Sequence, residues 1–120
     1  MRDLCIAEEI GVISYFSLAK GFLSGKYRGE SDLGQSARGG GVKAYLNPRG
    51  FRILDALDAV AKQHKAKPAE IALAWIVQRP GVTAPIASAT SLTQLESLIA
   101  ATKMSLSAED VLALDKASAA

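Results

Sequence analysis

The chain has 120 residues, of which 49% are hydrophobic and 22% are charged, an ordinary composition for one small globular domain. Its formal charge of +2 comes from scattered basic residues, which argues against a nucleic-acid or membrane-surface partner. Cys5 is the single cysteine, so an internal disulfide is excluded and a reducing, cytoplasmic location is expected. The sequence shows neither the apolar core of a signal peptide nor an apolar run as long as a membrane span, so we expect a soluble protein.

The first predicted elements are a short helix and a strand that opens into a loop of small and basic residues. Residues 3–9 are typical of a helix end, and residues 11–15 are typical of a buried strand. The loop that follows, through Tyr27, carries two glycines, two lysines and two serines, a composition with which many α/β proteins receive a phosphate. A mononucleotide P-loop is excluded, because three residues instead of four separate Gly21 from Gly25 and Tyr27 stands where a Ser or Thr is needed.

The segment from Arg28 to Asn47 shows no periodicity and contains Gly29, Gly34 and the run Gly39–Gly41. A loop of this length in a compact domain is usually either a functional lid or a disordered connection, and composition leaves both hypotheses open. Both hypotheses predict a segment without regular secondary structure.

A long helix is predicted to begin at Asn47 and Pro48, which are typical of an N-cap and a first helical position. Its apolar positions recur at helical spacing, which predicts one buried face made of Ile53, Leu54, Leu57, Val60 and Ala61. Basic residues close this helix, as the helix dipole prefers. His64, the single histidine, stands among them, so we expect it on the surface and not in a catalytic role.

The rest of the chain predicts three more helices and a second strand. A helix is expected over residues 68–79 and a strand over residues 82–86, where Pro85 indicates a strand terminus or an irregular edge. Ser91 and Gln94 fit a capping box, and the helix that they begin is expected to run to about residue 102. That helix is expected to bury Leu92, Leu95, Leu98 and Ile99. A near match to the same box at residues 107–110 begins the last helix.

The alternation of strands and helices predicts a parallel α/β architecture. A parallel sheet buries both faces, so two strands can neither close a barrel nor form a doubly wound sheet. The interpretation that we favour is the last portion of a larger α/β protein. The alternative is a small, mostly helical domain in which the two strands merely pair.

Three stretches resemble the aldo-keto reductases, in the order in which that family has them. Residues 13–28, Ile-Ser-Tyr-Phe-Ser-Leu-Ala-Lys-Gly-Phe-Leu-Ser-Gly-Lys-Tyr-Arg, resemble its seventh-strand segment Tyr-Ser-Pro-Leu-Ala-x-Gly-x-Leu-(Ser/Thr)-Gly-Lys-Tyr. Residues 69–75, Ala-Glu-Ile-Ala-Leu-Ala-Trp, are similar to its Ala-Gln-(Val/Leu)-Ala-Leu-Ala-Trp helix. Residues 83–96, which end in Gln-Leu-Glu, are similar to its eighth-strand segment. The resemblance covers nearly the whole chain.

The resemblance implies an α/β fold that is the C-terminal part of a (β/α)8 TIM barrel, helix-rich and with two short parallel strands. It implies that residues 1–120 are part of an NADP(H)-dependent oxidoreductase domain that reduces aldehydes or ketones when complete. The family's catalytic Asp, Tyr, Lys and His lie on earlier strands and have no match here, so we expect no turnover from this chain alone.

The resemblance also implies which residues contact the cofactor. Tyr15 takes the position that stacks on the nicotinamide, and Lys26 takes the position that neutralises the pyrophosphate. The path between them is lined by Phe16, Ser17, Leu18 and Lys20. The adenosine end is held by Ser88, Thr90, Ser91 and Gln94. Arg38 lies in the segment 28–47, which would fold over the cofactor as a flexible lid with the glycine run 39–41 as its hinge.

These residues also have plain structural interpretations. Tyr15 would then be a core aromatic residue, Lys26 and Arg38 solvated charges, and Ser91 and Gln94 a helix cap only. The chain departs from the family pattern at Phe16 (usually Ser), Ser88 (usually Gly), Ser97 (usually Glu) and Leu98 (usually an Asn that reads the adenine). Thr90 stands where several branches place a basic or serine residue for the 2′-phosphate, which leaves the choice between NADPH and NADH open.

Two other functional classes remain open at this point. The chain could be a non-catalytic nucleotide-binding or interaction module, paired with a separate chain that supplies the other barrel strands. It could also be a truncated product without a function of its own. Neither changes the small-molecule carbonyl substrate that the family resemblance implies for a complete enzyme.

Overall fold

Two short parallel strands pair in the structure, a computed structural model that describes residues 1–35 and 39–119. β1 (Ile13–Ser14) pairs with β2 (Ala84–Pro85), and Ile13 lies opposite Ala84. Backbone hydrogen bonds extend this pairing on both sides, from Thr83 N–H to the Val12 carbonyl at 2.8 Å and from Ile86 N–H to the Ser14 carbonyl at 2.9 Å. The predicted parallel pair is confirmed, with strands shorter than the sequence indicated.

In the described part of the chain five α-helices accompany the strands, in the order that the sequence predicts. Their bounds are α1 Arg2–Ala7, α2 Pro48–His64, α3 Pro68–Val77, α4 Leu92–Lys103 and α5 Ala108–Ser118. None of these helices is long and apolar enough to cross a membrane, which holds for the described residues.

The predicted helix starts are confirmed by their caps. The Asn47 side chain accepts a hydrogen bond from the Gly50 N–H at 2.9 Å, with Pro48 at the first helical position. In α5 the capping box is complete, because Ser107 Oγ accepts from the Asp110 N–H at 3.1 Å and Asp110 Oδ2 accepts from the Ser107 N–H at 3.0 Å. Each such cap satisfies backbone donors that the first helical turn leaves free.

The core lies between α2, α3 and α5 and the loop that follows β1. Leu54 of α2 and Ile71 of α3 are fully buried, as are Tyr27 and Val42 of the loop. The predicted face of α2 is confirmed, with Leu54, Leu57, Val60 and Ala61 buried and Ile53 partly buried against them. These helices therefore bury their apolar faces mainly on one another and not on the two strands.

Residues 28–47 are more regular than predicted. Two 3₁₀ helices occupy its described part, Glu30–Gln35 and Gly39–Tyr45. The second places Val42 in the core, and a Cβ on Gly39 would overlap the Leu33 carbonyl oxygen, so the two 3₁₀ helices pack closely at a glycine. The prediction of a segment without regular structure is wrong here. The two 3₁₀ helices are held by the packing of a few side chains, such as Val42, although the sequence of the segment has no periodic apolar pattern.

The two strands and α4 are less covered than predicted. Ile13 is 61% exposed, Tyr15 is 73% exposed and Leu92 is 78% exposed, although a buried strand and a buried α4 face were expected. Leu95 and Ile99 are also exposed, and Leu98 is partly buried. Within the described residues, the sheet has only two strands and each has one open edge. Apolar side chains on such a sheet stay in water until neighbouring elements cover them.

Candidate functional site

A groove of about 630 Å³ opens beyond the carboxyl ends of β1 and β2, between the loop after β1 and the start of α4. We call it the strand-end groove. The predicted cofactor residues that line it are Tyr15, Phe16, Ser17, Leu18, Lys20, Lys26, Ser88, Thr90 and Gln94. Ser91 is not among the lining residues, and Arg38 lies outside the described part of the chain. The structure thus brings together residues that are as much as 79 positions apart, from Tyr15 to Gln94.

The loop after β1 leaves the strand through a tight turn. Ser17 Oγ donates to the Ser14 carbonyl at 3.2 Å, which folds the chain back at once. Phe16, Ala19 and Lys20 have φ values of 53°, 49° and 59°, in the left-handed region that non-glycine residues seldom adopt. Such backbone persists only where surrounding structure enforces it, and it is enriched at ligand sites. Here the buried residues Phe22 and Tyr27 anchor the loop in the core.

Two aromatic rings stand at the β1 end of the strand-end groove. The rings of Tyr15 and Phe16 lie 4.2 Å apart between centroids, and both side chains are exposed. Lys20 Nζ lies 5.3 Å from the centroid of the Phe16 ring, within the range of a cation–π contact. The interpretation of Tyr15 as a core aromatic residue is therefore wrong, and its ring is open to stack on a planar group.

The opposite end of the groove is organised by Gln94. Its Oε1 accepts hydrogen bonds from the Thr90 N–H at 2.7 Å and from the Thr90 hydroxyl at 2.9 Å. Ser91 Oγ accepts from the Gln94 N–H at 3.2 Å, so Ser91 is the N-cap of α4 as predicted. The predicted capping box is only half formed, because the Gln94 side chain accepts from the N–H of Thr90, the residue before the N-cap, instead of from the N–H of Ser91. This contact fixes Thr90 at the groove wall.

The charged side chains that line the groove are basic. They are Lys20, Lys26 and Lys67, and among the residues that the structure describes no Asp or Glu lines it. Serine and threonine hydroxyls lie between them, including Ser24, Thr93 and Ser97. A site of this composition attracts a ligand with several negative charges, such as a pyrophosphate. Lys67 could not be predicted from the motifs, because it precedes a helix-starting proline and belongs to no phosphate-loop pattern.

The single histidine forms part of a structural pair away from the groove. His64 Nε2 lies 2.7 Å from Asp110 Oδ2, with the histidine side chain only 26% exposed and the carboxylate side chain 7% exposed. The hydrogen bond from His64 lowers the pKa of Asp110 below its ordinary value, and the bonds from Ser107 act in the same direction against the opposing effect of burial. His64 is thus only partly exposed, less than expected of a surface histidine, and it ties the end of α2 to the start of α5.

Comparison with known proteins agrees with this architecture. Residues 1–119 match the model of the Aldo/keto reductase family. The chain is 44% identical over 117 residues to an uncharacterised oxidoreductase of Mycobacterium tuberculosis (strain H37Rv), which covers 91% of this chain and 34% of that protein. It is 31% identical over 114 residues to probable aldo-keto reductase 1 of Glycine max, covering 90% of this chain and 32% of that one. The chain thus spans about a third of the length of these relatives.

The family fold is a (β/α)8 barrel, in which parallel strands alternate with helices. The parallel pair of β1 and β2, each followed by helices, has the arrangement of two neighbouring units of such a barrel. The site of these barrels lies at the carboxyl ends of the strands, where the strand-end groove is found. On the match over residues 1–119, this chain belongs to the aldo/keto reductase family and forms part of its (β/α)8 barrel.

Proposed function

We propose that this chain is the C-terminal cofactor-binding part of an NADP(H)-dependent aldo-keto reductase that reduces aldehydes or ketones. The observation that carries the proposal is the strand-end groove, in which three lysines, several hydroxyls and two aromatic rings line one space, with no carboxylate from the described part of the chain. A dinucleotide offers a planar ring, a pyrophosphate and a ribose with hydroxyls, and each has a chemical counterpart in this lining.

The lining residues fit the pyrophosphate and the two ends of the dinucleotide. Lys20 and Lys26 supply positive charge beside the loop after β1, where a pyrophosphate would be neutralised. Tyr15 supplies an open ring at the nicotinamide end, while Ser88 and Thr90 supply hydroxyls toward the adenosine end. When bound, NADPH supplies the hydride for carbonyl reduction, and these residues bind and orient it.

Carbonyl reduction also needs a proton donor beside the hydride acceptor. The motif of the family that supplies this acid has no match in the sequence, and the phenol of Tyr15 belongs to the ring proposed to stack on the nicotinamide. We therefore assign cofactor binding to this chain. In a protein of the relatives' length, the other two thirds would supply the acid and the carbonyl pocket. Aldehyde reduction by the homogeneous 120-residue chain would contradict this division.

We place those remaining elements against the exposed side of β1 and β2. Ile13, Tyr15 and Ile86 are exposed on or beside the two-stranded sheet, and each strand has an open edge. Further parallel strands of the barrel would cover this apolar surface and satisfy the edges. They belong either to a longer form of this chain or to a separate chain that pairs with it.

The test is a titration of the purified protein with NADPH, followed by cofactor fluorescence. The wild-type protein is expected to bind, and Lys26→Met is expected to weaken binding about tenfold, the effect of losing one charge-assisted contact. Lys103→Met, which removes a lysine at the far end of α4 that does not line the groove, is the matched control. A wild-type protein that does not bind NADPH, or equal losses in both variants, would refute cofactor binding at this groove. Binding without carbonyl reduction by the complete protein would favour a non-catalytic nucleotide module.

A further inference from the structure

The peptide groups on both sides of Lys26 accept hydrogen bonds from side chains that do not line the strand-end groove. The carbonyl of Gly25 accepts from Arg28 Nε at 2.7 Å, and the carbonyl of Lys26 itself accepts from Gln35 Nε2 at 3.1 Å. Neither Arg28 nor Gln35 is among the lining residues. The backbone that carries this lysine is therefore fixed by residues outside the groove.

Arg28 connects this backbone to α2. Its Nη1 and Nη2 donate to the two carboxylate oxygens of Asp58, each at 3.0 Å. Such a bidentate pair fixes the orientation of the guanidinium as well as its distance. Because Nε of the same planar group bonds the Gly25 carbonyl, α2 holds the turn before Lys26 through one rigid side-chain group. The anchor is firm, since α2 is packed into the core through the fully buried Leu54.

A second acid completes the arrangement. Asp32 accepts from the Arg28 N–H at 2.9 Å through Oδ2 and from Gln35 Nε2 at 3.0 Å through Oδ1. We call Arg28, Asp32, Gln35 and Asp58 together the Lys26 brace. Its two carboxylates are engaged by Arg28 and Gln35, and within the described part of the chain no acidic side chain lies within 4.0 Å of the Lys26 ammonium. The brace thus orients the lysine without neutralising it.

The side chain of Lys26 has a defined place on the loop. Its Nζ lies 5.1 Å from the centroid of the buried Tyr27 ring, within the range of a cation–π contact. A Cβ on Gly21 would lie 3.6 Å from its Cε, so the lysine side chain passes a position that has no side chain of its own. A change in the direction of the Lys26 backbone would therefore move the ammonium away from this place in the groove.

We infer that Arg28, anchored by Asp58 and Asp32, is a positioning residue that orients Lys26 toward the pyrophosphate of the bound dinucleotide. This inference rests on the proposed function, since it concerns how one residue of that site is held. The side chains of Arg28 and Asp58 are 41% and 46% exposed, and ion pairs so exposed add little to folding stability. Their contribution is to geometry, because a cation that is already oriented loses less conformational entropy when it binds an anion.

The experiment measures the affinity for NADPH in the wild-type protein and in variants of the brace. Asp58→Ala releases the Arg28 guanidinium and is expected to weaken NADPH binding about fivefold. The sign of the change separates positioning from simple electrostatics, because loss of a negative charge near a basic groove would by itself strengthen the binding of an anion. Asp55→Ala removes an exposed acid of the same helix that is not part of the brace, and this matched control is expected to change the affinity less than about twofold.

Two further variants show whether the effect depends on the guanidinium and on Lys26. Arg28→Lys keeps the charge, but one ammonium cannot replace a group that bonds Asp58 and Gly25 together, so the same loss of affinity is expected. In the Lys26→Met background, Asp58→Ala is expected to cause no additional loss, since the residue that the brace orients is gone. A melting temperature close to that of the wild-type protein verifies that each variant is folded.

The outcomes separate this inference from the function beneath it. If the wild-type protein does not bind NADPH, the cofactor site itself is refuted and the role of Arg28 with it. If it binds NADPH, but Asp58→Ala strengthens binding or weakens it no more than Asp55→Ala, only the positioning role is overturned. Full affinity in Arg28→Lys, or a further loss from Asp58→Ala in the Lys26→Met background, would overturn that role as well.

Discussion

The molecule divides into two regions that bury their apolar residues very differently. We call α2, α3 and α5 the helical layer, and α1, β1, β2 and α4 the strand side. In the helical layer Leu54 and Ile71 are fully buried, whereas on the strand side Ile13 is 61% exposed and Leu92 is 78% exposed. Leucine and isoleucine occur in both regions, so their different burial comes from what packs on them.

This difference bears on how firmly the strand-end groove is built. One wall is the loop after β1, which Phe22 and Tyr27 anchor in the core. The other wall is α4, in which Ala101 is the single residue classed as buried. Polar contacts, such as that of Ser97 with Glu70, hold this second wall in place. We expect the first wall to keep its geometry by itself and the second to depend more on what covers the strand side.

The largest expected effect tests the contrast directly with one substitution type in both regions. Leu54→Ala is expected to lower the free energy of unfolding by about 3 kcal/mol, since it removes fully buried methyl groups and leaves a cavity. Leu92→Ala is expected to lower it by less than about 0.5 kcal/mol, because that side chain is already in water. Urea denaturation followed by circular dichroism measures both.

The contrast between the two regions is refuted if Leu54→Ala and Leu92→Ala lower the free energy of unfolding by the same amount. A large loss for Leu92→Ala would mean that the strand side is covered in solution, for example by a second chain, and the effect would then depend on protein concentration. A small loss for Leu54→Ala would mean that the helical layer is loosely packed. Ile71→Val, expected to cost about 1 kcal/mol, covers the case in which Leu54→Ala does not fold.

An intermediate effect concerns the link inside the helical layer between His64 and Asp110. Because hydrogen bonds lower the pKa of Asp110 in the folded state, its contribution to stability is present above the ordinary carboxyl pKa of about 4 and is lost as the pH falls through the folded value. Asp110→Asn is expected to cost about 1–2 kcal/mol at neutral pH, since it weakens charge-assisted bonds to His64 and Ser107.

The difference between the wild-type protein and Asp110→Asn is expected to shrink as the pH is lowered below about 4. Unfolding curves recorded between neutral and acidic pH on both proteins measure it, and the subtraction removes the titration of other carboxylates. A difference that stays constant over this range would contradict a charged Asp110 as the source of the stabilisation.

The sequence predicted best what depends on neighbours along the chain. The caps at Asn47, Ser91 and Ser107 were all correct, because a cap is formed by a side chain and a backbone group three residues away. The buried face of α2 followed from its periodicity for the same reason. Burial of β1 and α4 was predicted wrongly, since periodicity shows that a face is apolar but not which element covers it.

The residues of the strand-end groove were likewise predicted only where a pattern along the chain indicated them. The family resemblance implied that Tyr15, Lys26 and Gln94 contact one cofactor, and the three do line one groove, because loops after parallel strands meet at one end of a sheet. Lys67 belongs to no strand loop and reaches the groove because Pro68 packs beside Gly25, a contact between distant segments that no local pattern encodes. The partial burial of His64 escaped prediction for the same reason, because its partner Asp110 is 46 positions away.

The smallest expected effect on stability tests the strand side alone. Ile13→Thr keeps a β-branched residue on the exposed face of β1 and is expected to change the free energy of unfolding by less than about 0.5 kcal/mol, since Ile13 is largely in water. The same substitution is expected to reduce self-association measured by light scattering, because an apolar side chain next to an open strand edge favours pairing between chains. Thr102→Ala, a substitution at an exposed residue near the end of α4, is the control for unrelated surface effects. If Ile13→Thr instead destabilises the protein as strongly as Leu54→Ala, then β1 is covered in solution and the contrast between the two regions disappears. If self-association is the same in Ile13→Thr and the wild-type protein, the apolar side chain beside the open strand edge is not its cause.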